Sequence, residues 1–337
     1  MPSSALIYII VLNYNGARIT LDCVRSVLKI DYPNLRVVVV DNASTDGSAV
    51  VLAEEMRAIN DSRMELLLNE RNEGYAGGNN RGIEKALAAG ADYIFVLNND
   101  TIAEPGCLQP LIEAMERDAR IGIASCPIFN TGRECPADTG YRISLYTGKQ
   151  ALWLNGEMPR DTTEVHSICG AAVLLRAAIV PRIGMFDERF FLNYEDLEIC
   201  FRARRAGFKA CFVPGPGVRH LESYTIGRMR PVFTYCSIRN RAWFIRRYGN
   251  LAERLVFNVF SFGYFYPKAV VGRVVRREFQ LLLPVLKGIR DGHWGYPDAN
   301  TGRARATISE QGSVERVHRG DSWARGGVPQ GERHLTG

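Results

Sequence analysis

The sequence lacks the short signatures by which most nucleotide-handling and metal-stapled proteins announce themselves. None of its eight cysteines, at 23, 107, 126, 135, 169, 200, 211 and 236, belongs to a CxxC pair. Several sit inside apolar runs, where a thiol is a small buried hydrophobe, so zinc-stapled folds are excluded and a reducing compartment is expected. GxGxxG and GxxxxGK are both missing, which argues against a dinucleotide dehydrogenase and a P-loop NTPase. No stretch reaches the roughly 20 uncharged residues that a spanning helix needs. The opening residues MPSSALIYIIVLNYNG have neither a basic leader nor a small-residue cleavage site, so their apolar run is expected to be a first strand of a cytoplasmic protein. No nucleic-acid motif or aromatic RNA-binding signature occurs.

What is present is a chain of 337 residues, 46% apolar with 32 glycines, long enough to bury a sizeable core. Its net charge of +6 is unevenly placed. Residues 1–224 hold 23 Lys/Arg against 28 Asp/Glu, a net −5, whereas residues 225–337 hold 19 against 8, a net +11. An acidic front and a basic rear face different partners, and an anionic membrane surface suits the rear better than nucleic acid does.

Four apolar runs, Leu6 to Leu12, Val37 to Val40, Met64 to Leu68 and Tyr93 to Leu97, lack polar alternation and read as parallel strands buried on both faces. Between them lie segments of helical period: Ile19, Leu21, Val24, Val27 and Leu28; then Val50 to Met56 behind Ser44, Thr45 and Asp46; then Ile83 to Ala89. Repeated βα units imply an α/β, doubly wound sheet. A helix from about Pro105 to Arg117 and the run Ile121 to Cys126 follow, and periodicity then fades over residues 127–168. Order returns at Cys169 to Arg176, a helix Asp196 to Arg205, a strand Phe208 to Val213 and a helix Arg230 to Tyr248. Residues 251–290 mix apolar residues with Lys268, Arg273, Arg276, Arg277 and Lys287, the pattern of an amphipathic segment lying on a membrane. From about residue 299 the composition predicts a disordered tail.

Three of the four early strands end in the same kind of polar residue: Asn13 and Asn15, then Asp41 and Asn42, then Asn98, Asn99 and Asp100. In an open parallel sheet the carboxyl ends of strands line one crevice, so these side chains should converge. Taken singly, each is an ordinary turn former. The turn RNEGYAGGNNRG, residues 71–82, offers glycines through which main chain could approach a phosphate ahead of a helix. Asp100 is the candidate metal ligand, because a hard cation bridging phosphates needs only one or two carboxylates besides the substrate. Glu195 and Asp196 open a helix after Phe190, Phe191 and Tyr194. Acids favour that position for dipole reasons, but a carboxylate beside aromatic surface also makes a general base. His220 follows a Pro/Gly-rich turn, where a ligand and a core histidine are equally plausible.

The order NYN, VDNASTDGS, NEGYAGGNN, LNND, CGAAVLLR, FDERFFLNYED and VRH, spanning about residues 6–250, resembles the family 2 inverting glycosyltransferases of the GT-A fold, in particular the bacterial rhamnosyltransferase-like members of cell-surface polysaccharide assembly. The resemblance implies that Asn13, Asn15, Asp41 and Asn42 hold the base and ribose of a nucleotide-diphosphate sugar, with Asn72, Gly74, Gly77, Gly78 and Asn79 bordering it. Asn98 and Asp100 would stand at the DxD position beside Asn99, with His220 as the second metal or phosphate ligand for Mg or Mn. Gly170 would belong to the acceptor-side strand, Asp196 would be the base with Glu195 beside it, and Arg239 and Asn240 would lie near the donor phosphate or acceptor. One departure is that Asn98 replaces the first DxD carboxylate, so the metal site has one negative charge fewer.

The expected organisation is a GT-A-type catalytic domain over residues 1–225, mostly parallel in its sheet, with a nucleotide-sugar half of about 1–126 and an acceptor half of about 127–225. A C-terminal helical appendage, 226–298, would be basic and membrane-associating, and 299–337 would be the tail. The partners implied are a nucleotide-diphosphate donor, with dTDP-L-rhamnose the first choice, a lipid-linked or glycan acceptor, and the cytoplasmic face of the inner membrane, with no nucleic acid. Two alternatives stay open: a UDP-sugar donor, and a non-catalytic nucleotide-sugar-binding protein. A sugar nucleotidyltransferase would need a glycine-rich Arg/Lys loop after the first strand, where NYNGAR stands.

Overall fold

A computed structural model describes residues 5–130, 136–153, 158–221 and 229–295. The first half is built of βα units: β1 (Ile7–Asn13), α1 (Ala17–Val27), β2 (Leu35–Asp41), α2 (Ser48–Ile59), β3 (Met64–Leu68), α3 (Gly74–Ala88) and β4 (Tyr93–Asn98). β1 pairs in parallel with both β2 and β4, and β2 with β3. The register sets Asn13 opposite Asp41 and Leu12 opposite Asn98, so the polar strand tips lie level along one edge.

Alternate residues of these strands feed two cores. Ile7, Ile9, Val11, Val37, Val39, Phe95 and Leu97 face Leu21, Val24, Leu111 and Ile112 on one side. On the other, Ile10, Val38, Val40, Ile94 and Val96 face Ile83, Ala86, Ile199 and Ala203. This two-sided burial is why the strands read as unbroken apolar runs.

α3 begins at Gly74, nine residues before the predicted start at Ile83. The glycines were expected in a turn because their helix propensity is poor. They lie instead inside the helix at a spacing of four, and each removes a clash: a Cβ on Gly78 would come 2.5 Å from Leu12, and one on Gly82 2.4 Å from Ile10. Close approach of helix to sheet outweighs local propensity here.

Past β4 the chain runs through β5 (Thr101–Ala103), α4 (Leu108–Arg117), β6 (Ile121–Ser125), β7 (Ile128–Asn130), β8 (Pro136–Asp138), β9 (Tyr141–Ile143), β10 (Gln150–Leu152), β11 (Thr163–Val165), β12 (Ala172–Arg176), α5 (Val180–Ile183), α6 (Glu195–Arg205), β13 (Lys209–Phe212) and β14 (Val218–His220). The large sheet has the order β11-β13-β6-β12-β4-β1-β2-β3, with β12 antiparallel to β4 and β6 and the inner pairs otherwise parallel. Several strands between 127 and 168 are three residues long, too short to show a period, which explains the loss of pattern there. Four of the short strands, β5-β14-β7-β8, form a second sheet that sets His220 opposite Thr101.

The C-terminal helices are α7 (Arg230–Tyr248), α8 (Leu251–Phe260), α9 (Tyr266–Val275) and α10 (Leu282–Trp294), and a π-helical turn, Ser261–Phe265, joins α8 to α9. α7 packs along α10. None of the described helices is long and apolar enough to cross a membrane. The proposed tail, 299–337, and the boundary at residue 225 lie outside the described residues.

Candidate active site at the strand tips

The tips of β2, β1 and β4 are joined by one hydrogen-bond relay. Asn13 Nδ2 donates to Asp41 Oδ1 at 2.6 Å, and Asn13 Oδ1 accepts from the Thr20 hydroxyl at 2.7 Å. Thr20 Oγ1 in turn accepts from Asn99 Nδ2 at 2.9 Å. Ser44 donates from its hydroxyl to Asp41 Oδ1 at 2.6 Å and from its N–H to Oδ2 at 3.0 Å. Asn15 Oδ1 accepts from Thr45 N–H at 2.7 Å. Asn13, Asp41, Asn42 and Asn99 are therefore buried framework. They shape the crevice; the open positions on its rim are Asn15 and Asn98.

Asn42 spends all its amide valence on the turn before α3. It donates to Asn72 Oδ1 at 2.9 Å and Gly74 O at 3.0 Å, and it accepts from Asn69 Nδ2 and Glu73 N–H, both at 3.0 Å. Gly74, Gly77 and Gly78 have little free space around them: added Cβ atoms would meet Phe191, Glu73 and Leu12 at 2.4, 2.7 and 2.5 Å. Their absent side chains make room for close packing. Asn79 donates to Tyr75 O at 2.9 Å and leaves its Oδ1 buried without a partner.

Asp100 and His220 are brought together by the second sheet. His220 Nε2 lies 3.1 Å from Asp100 Oδ1, and Leu221 N–H donates to Asp100 O at 2.8 Å, clamping β14 to the loop after β4. Among the described residues no group of three or more His, Cys, Asp and Glu could hold an ion. One hard carboxylate and one imidazole fit a divalent cation that takes its remaining ligands from diphosphate oxygens and water.

Asp196 stands at the start of α6. Its Oδ1 accepts from Leu197 N–H at 2.7 Å and its Oδ2 from Gly170 N–H at 3.0 Å. Burial pushes its carboxyl up to about 6, against the two backbone donors, and Asp138 adds to the rise. Glu195 is 5% exposed, leaves Oε2 without a partner, and is pushed well above the ordinary carboxyl range by burial and then by Asp196. Two adjacent buried carboxyls do not ionise together; the more deeply desolvated Glu195 keeps its proton and Asp196 carries the charge.

The metal pair and the acidic pair share a neighbourhood. Tyr75, on α3, feels Glu195, Asp196 and Asp100, while Asp138 is coupled to both His220 and Asp196. Tyr75, Asp138, Tyr141 and Cys169 escaped the sequence reading. Three of them fall in or next to the aperiodic stretch, and Tyr75 was hidden in a segment read as a glycine turn.

Arg239 and Asn240 are turned to backbone carbonyls. Both are almost wholly buried, at 1% and 0% exposure. Arg239 donates to Arg189 O and Phe190 O at 3.0 and 3.1 Å, with its guanidinium 4.2 Å from the Trp243 ring centre. Asn240 Nδ2 reaches Phe190 O, Leu192 O and Asn193 O at 2.8, 3.0 and 2.6 Å. The turn they grip is strained: Phe191, Asn193 and Tyr194 have φ of 60°, 70° and 77°, left-handed values that L side chains rarely adopt. The pair therefore fixes the backbone that delivers Glu195 and Asp196. Gly170, likewise, sits against Asp196, where a Cβ would lie 3.4 Å from Oδ2.

Two surface cavities, of ≈580 Å³ around Asp92, Glu116 and Arg176 and ≈520 Å³ around Arg120, Arg204 and Tyr248, include none of these residues.

The family model of glycosyl transferase family 2 matches residues 8–184. An N-acetylglucosaminyl-diphospho-decaprenol L-rhamnosyltransferase of Mycobacterium tuberculosis is 28% identical over 214 residues, covering 57% of this chain and 68% of that protein. A rhamnosyltransferase of Escherichia coli is 26% identical over 182 residues, 46% of this chain and 69% of its own. Among solved structures, a mannosyltransferase of Pyrobaculum calidifontis in complex with GDP-Man and Mn2+ superposes with a TM-score of 0.56 at 15% identity, covering 88% of this chain and 89% of that one. TarS of S. aureus, residues 1–349, superposes with a TM-score of 0.52 at 17% identity, covering 95% and 93%. These structures share the GT-A fold.

Proposed function

Since the chain belongs to glycosyl transferase family 2 and is a glycosyltransferase, we propose that it transfers L-rhamnose from dTDP-L-rhamnose, with inversion, to a hydroxyl of a lipid-linked or polysaccharide acceptor in cell-surface glycan assembly. The observation that carries the chemistry is a half-buried Asp196, held at about 6, in the same cleft as the Asp100–His220 pair. The rhamnosyl assignment draws on the names of the two relatives.

The acceptor hydroxyl gives its proton to Asp196 as its oxygen bonds to the anomeric carbon. The bond from that carbon to the diphosphate oxygen breaks, and the leaving nucleoside diphosphate takes the electron pair. Attack from the face opposite the leaving group inverts the centre. Glu195, holding its proton, leaves a single negative charge at the base, and the Gly170 and Leu197 N–H groups fix which oxygen lone pairs remain free. Asp100 and His220 would hold Mg or Mn, whose contribution is to neutralise charge on the diphosphate. Asn15 and the backbone of the relay would border the base and ribose.

The basic C-terminal helices support work at the cytoplasmic face of a membrane. Leu255, Val259 and Phe262 are 64%, 68% and 46% exposed. Arg254, Lys268, Arg276, Arg277 and Lys287 lie in the same region, while Glu278 is neutralised by Arg230 and Arg273. Exposed apolar side chains and cations on the same helices suit anionic lipid, where a lipid-linked acceptor resides.

The central test is Asp196→Asn. It should keep the affinity for dTDP, measured by calorimetry, and lose turnover by ~10² to 10⁴, the usual effect of removing a positioned base. Near-normal turnover would end the assignment.

A further inference from the structure

Most polar groups at the floor of the crevice are explained by packing or by the proposed chemistry, but Tyr75 is not. It is the second residue of α3, the helix that closes the nucleotide side, yet its side chain crosses to the acceptor side. Its hydroxyl donates to Gly170 O at 2.5 Å, and its N–H donates to Phe191 O at 2.6 Å. Both acceptors flank the base. The N–H of Gly170 is the donor to Asp196 Oδ2, and Phe191 opens the strained turn that leads to Glu195 and Asp196. The ring is held edge-on to Phe186 at 6.0 Å, so the hydroxyl arrives from a fixed direction. Burial pushes that hydroxyl well above the ordinary phenol range, with Glu195 and Asp196 adding to it, so it remains a donor at any working pH.

We propose that Tyr75 is a positioning residue: by tying α3 to the Gly170 segment and the Phe191 turn, it keeps the Gly170 N–H aimed at Asp196, and the placement of the base depends on the seating of the nucleotide-side helix. A bond across the two halves of the cleft gives the base a mechanical reference on the donor side, which a reaction requiring in-line geometry needs. The inference rests on Asp196 acting as the base.

The groups that face Asp196 from the elements around it are Asp138 on β8, Tyr141 on β9, Cys169 ahead of β12, Tyr194, Glu195 and Cys200 around α6, and Tyr75 itself. Tyr75→Phe removes none of their charges and keeps the ring. Any change in the titration of Asp196 then reports the hydrogen bond from Gly170, which favours the ionised form.

The experiment compares the wild type, Tyr75→Phe and Asp196→Asn by carbon NMR of Asp-labelled full-length protein across pH, with the last variant assigning the Asp196 signal. In Tyr75→Phe the Asp196 midpoint should rise by about one unit, the size expected for weakening one charge-assisted hydrogen bond. Release of dTDP from dTDP-L-rhamnose should fall on the order of tenfold while calorimetric affinity for dTDP holds, the split expected of misplaced catalytic geometry. An unmoved midpoint overturns the inference, and so does a loss of dTDP affinity with the midpoint unmoved, which would make Tyr75 a donor-binding residue. Normal turnover in Asp196→Asn would instead break the base assignment, leaving the titration result to stand by itself.

Discussion

At the residue scale, the acidic pair sets function against stability. A carboxyl whose folded value lies above its unfolded value binds its proton more tightly in the folded state. Its stabilising contribution is present at low pH and is lost as pH rises through the folded value, for Asp196 from the ordinary carboxyl range to about 6. Glu195 acts in the same direction over a window reaching higher pH. Asp196→Asn should therefore melt at a higher temperature than the wild type at pH 8, and the gap should close towards pH 4; calorimetric melts at the two pH values measure it. Turnover of the wild type should fall below about pH 6, where the base takes up its proton. With two protein ligands rather than three, Asp100 and His220 should release their cation readily, so brief EDTA treatment should abolish transfer and added Mg or Mn should restore it; unaltered transfer in EDTA would remove the metal from the mechanism.

Elements show why the site holds its shape. α3 can lie flat on β1 because glycine stands at 78 and 82, while glycine at 74 makes room for Phe191. Phe191, Asn193 and Tyr194 hold left-handed angles while Asn240, from the side of α7, gathers the carbonyls of Phe190, Leu192 and Asn193. Such a turn persists only where the surroundings over-determine it. Asn240→Ala would strand those carbonyls in a buried place, at about 1–3 kcal/mol. It should lower stability in urea by that amount and turnover by at least about tenfold, with calorimetric dTDP affinity little changed, since the residue grips the turn that leads to Asp196. A loss confined to dTDP affinity would return Asn240 to the donor-phosphate role that the sequence suggested.

For the whole molecule, the catalytic crevice and the basic helices are joined through α7. Its inner face fixes the loop before Asp196, and it packs along α10 beside the exposed apolar residues of α8 and α9. Peripheral docking should depend on that apolar surface as well as on charge. Changing Leu255 and Val259 together to Glu should abolish flotation with vesicles containing anionic phospholipid, while leaving dTDP affinity intact, because these side chains lie mostly in water. Undiminished flotation would place the membrane contact elsewhere.

The sequence by itself determined the parallel strands, the polar residues at their tips and the acidic pair at the head of a helix, because each is a local property: two-sided burial leaves an apolar run, and strand ends need turn formers. Its motifs, through the family they resemble, also joined Asp100 and His220, whereas their spacing alone could not, since the 3.1 Å approach depends on pairing β14 with β5 across more than a hundred residues. Only the tertiary structure decided what the glycines, Arg239 and Asn240 are for. A glycine that flexes a turn and one that admits a close neighbour look alike in a sequence, and a buried arginine looks like a phosphate ligand until its hydrogen bonds are seen to end on backbone carbonyls. Asp138, Tyr141 and Tyr75 gain their meaning solely from what folds against them, because electrostatic coupling follows distance in space and leaves no trace in spacing along the chain.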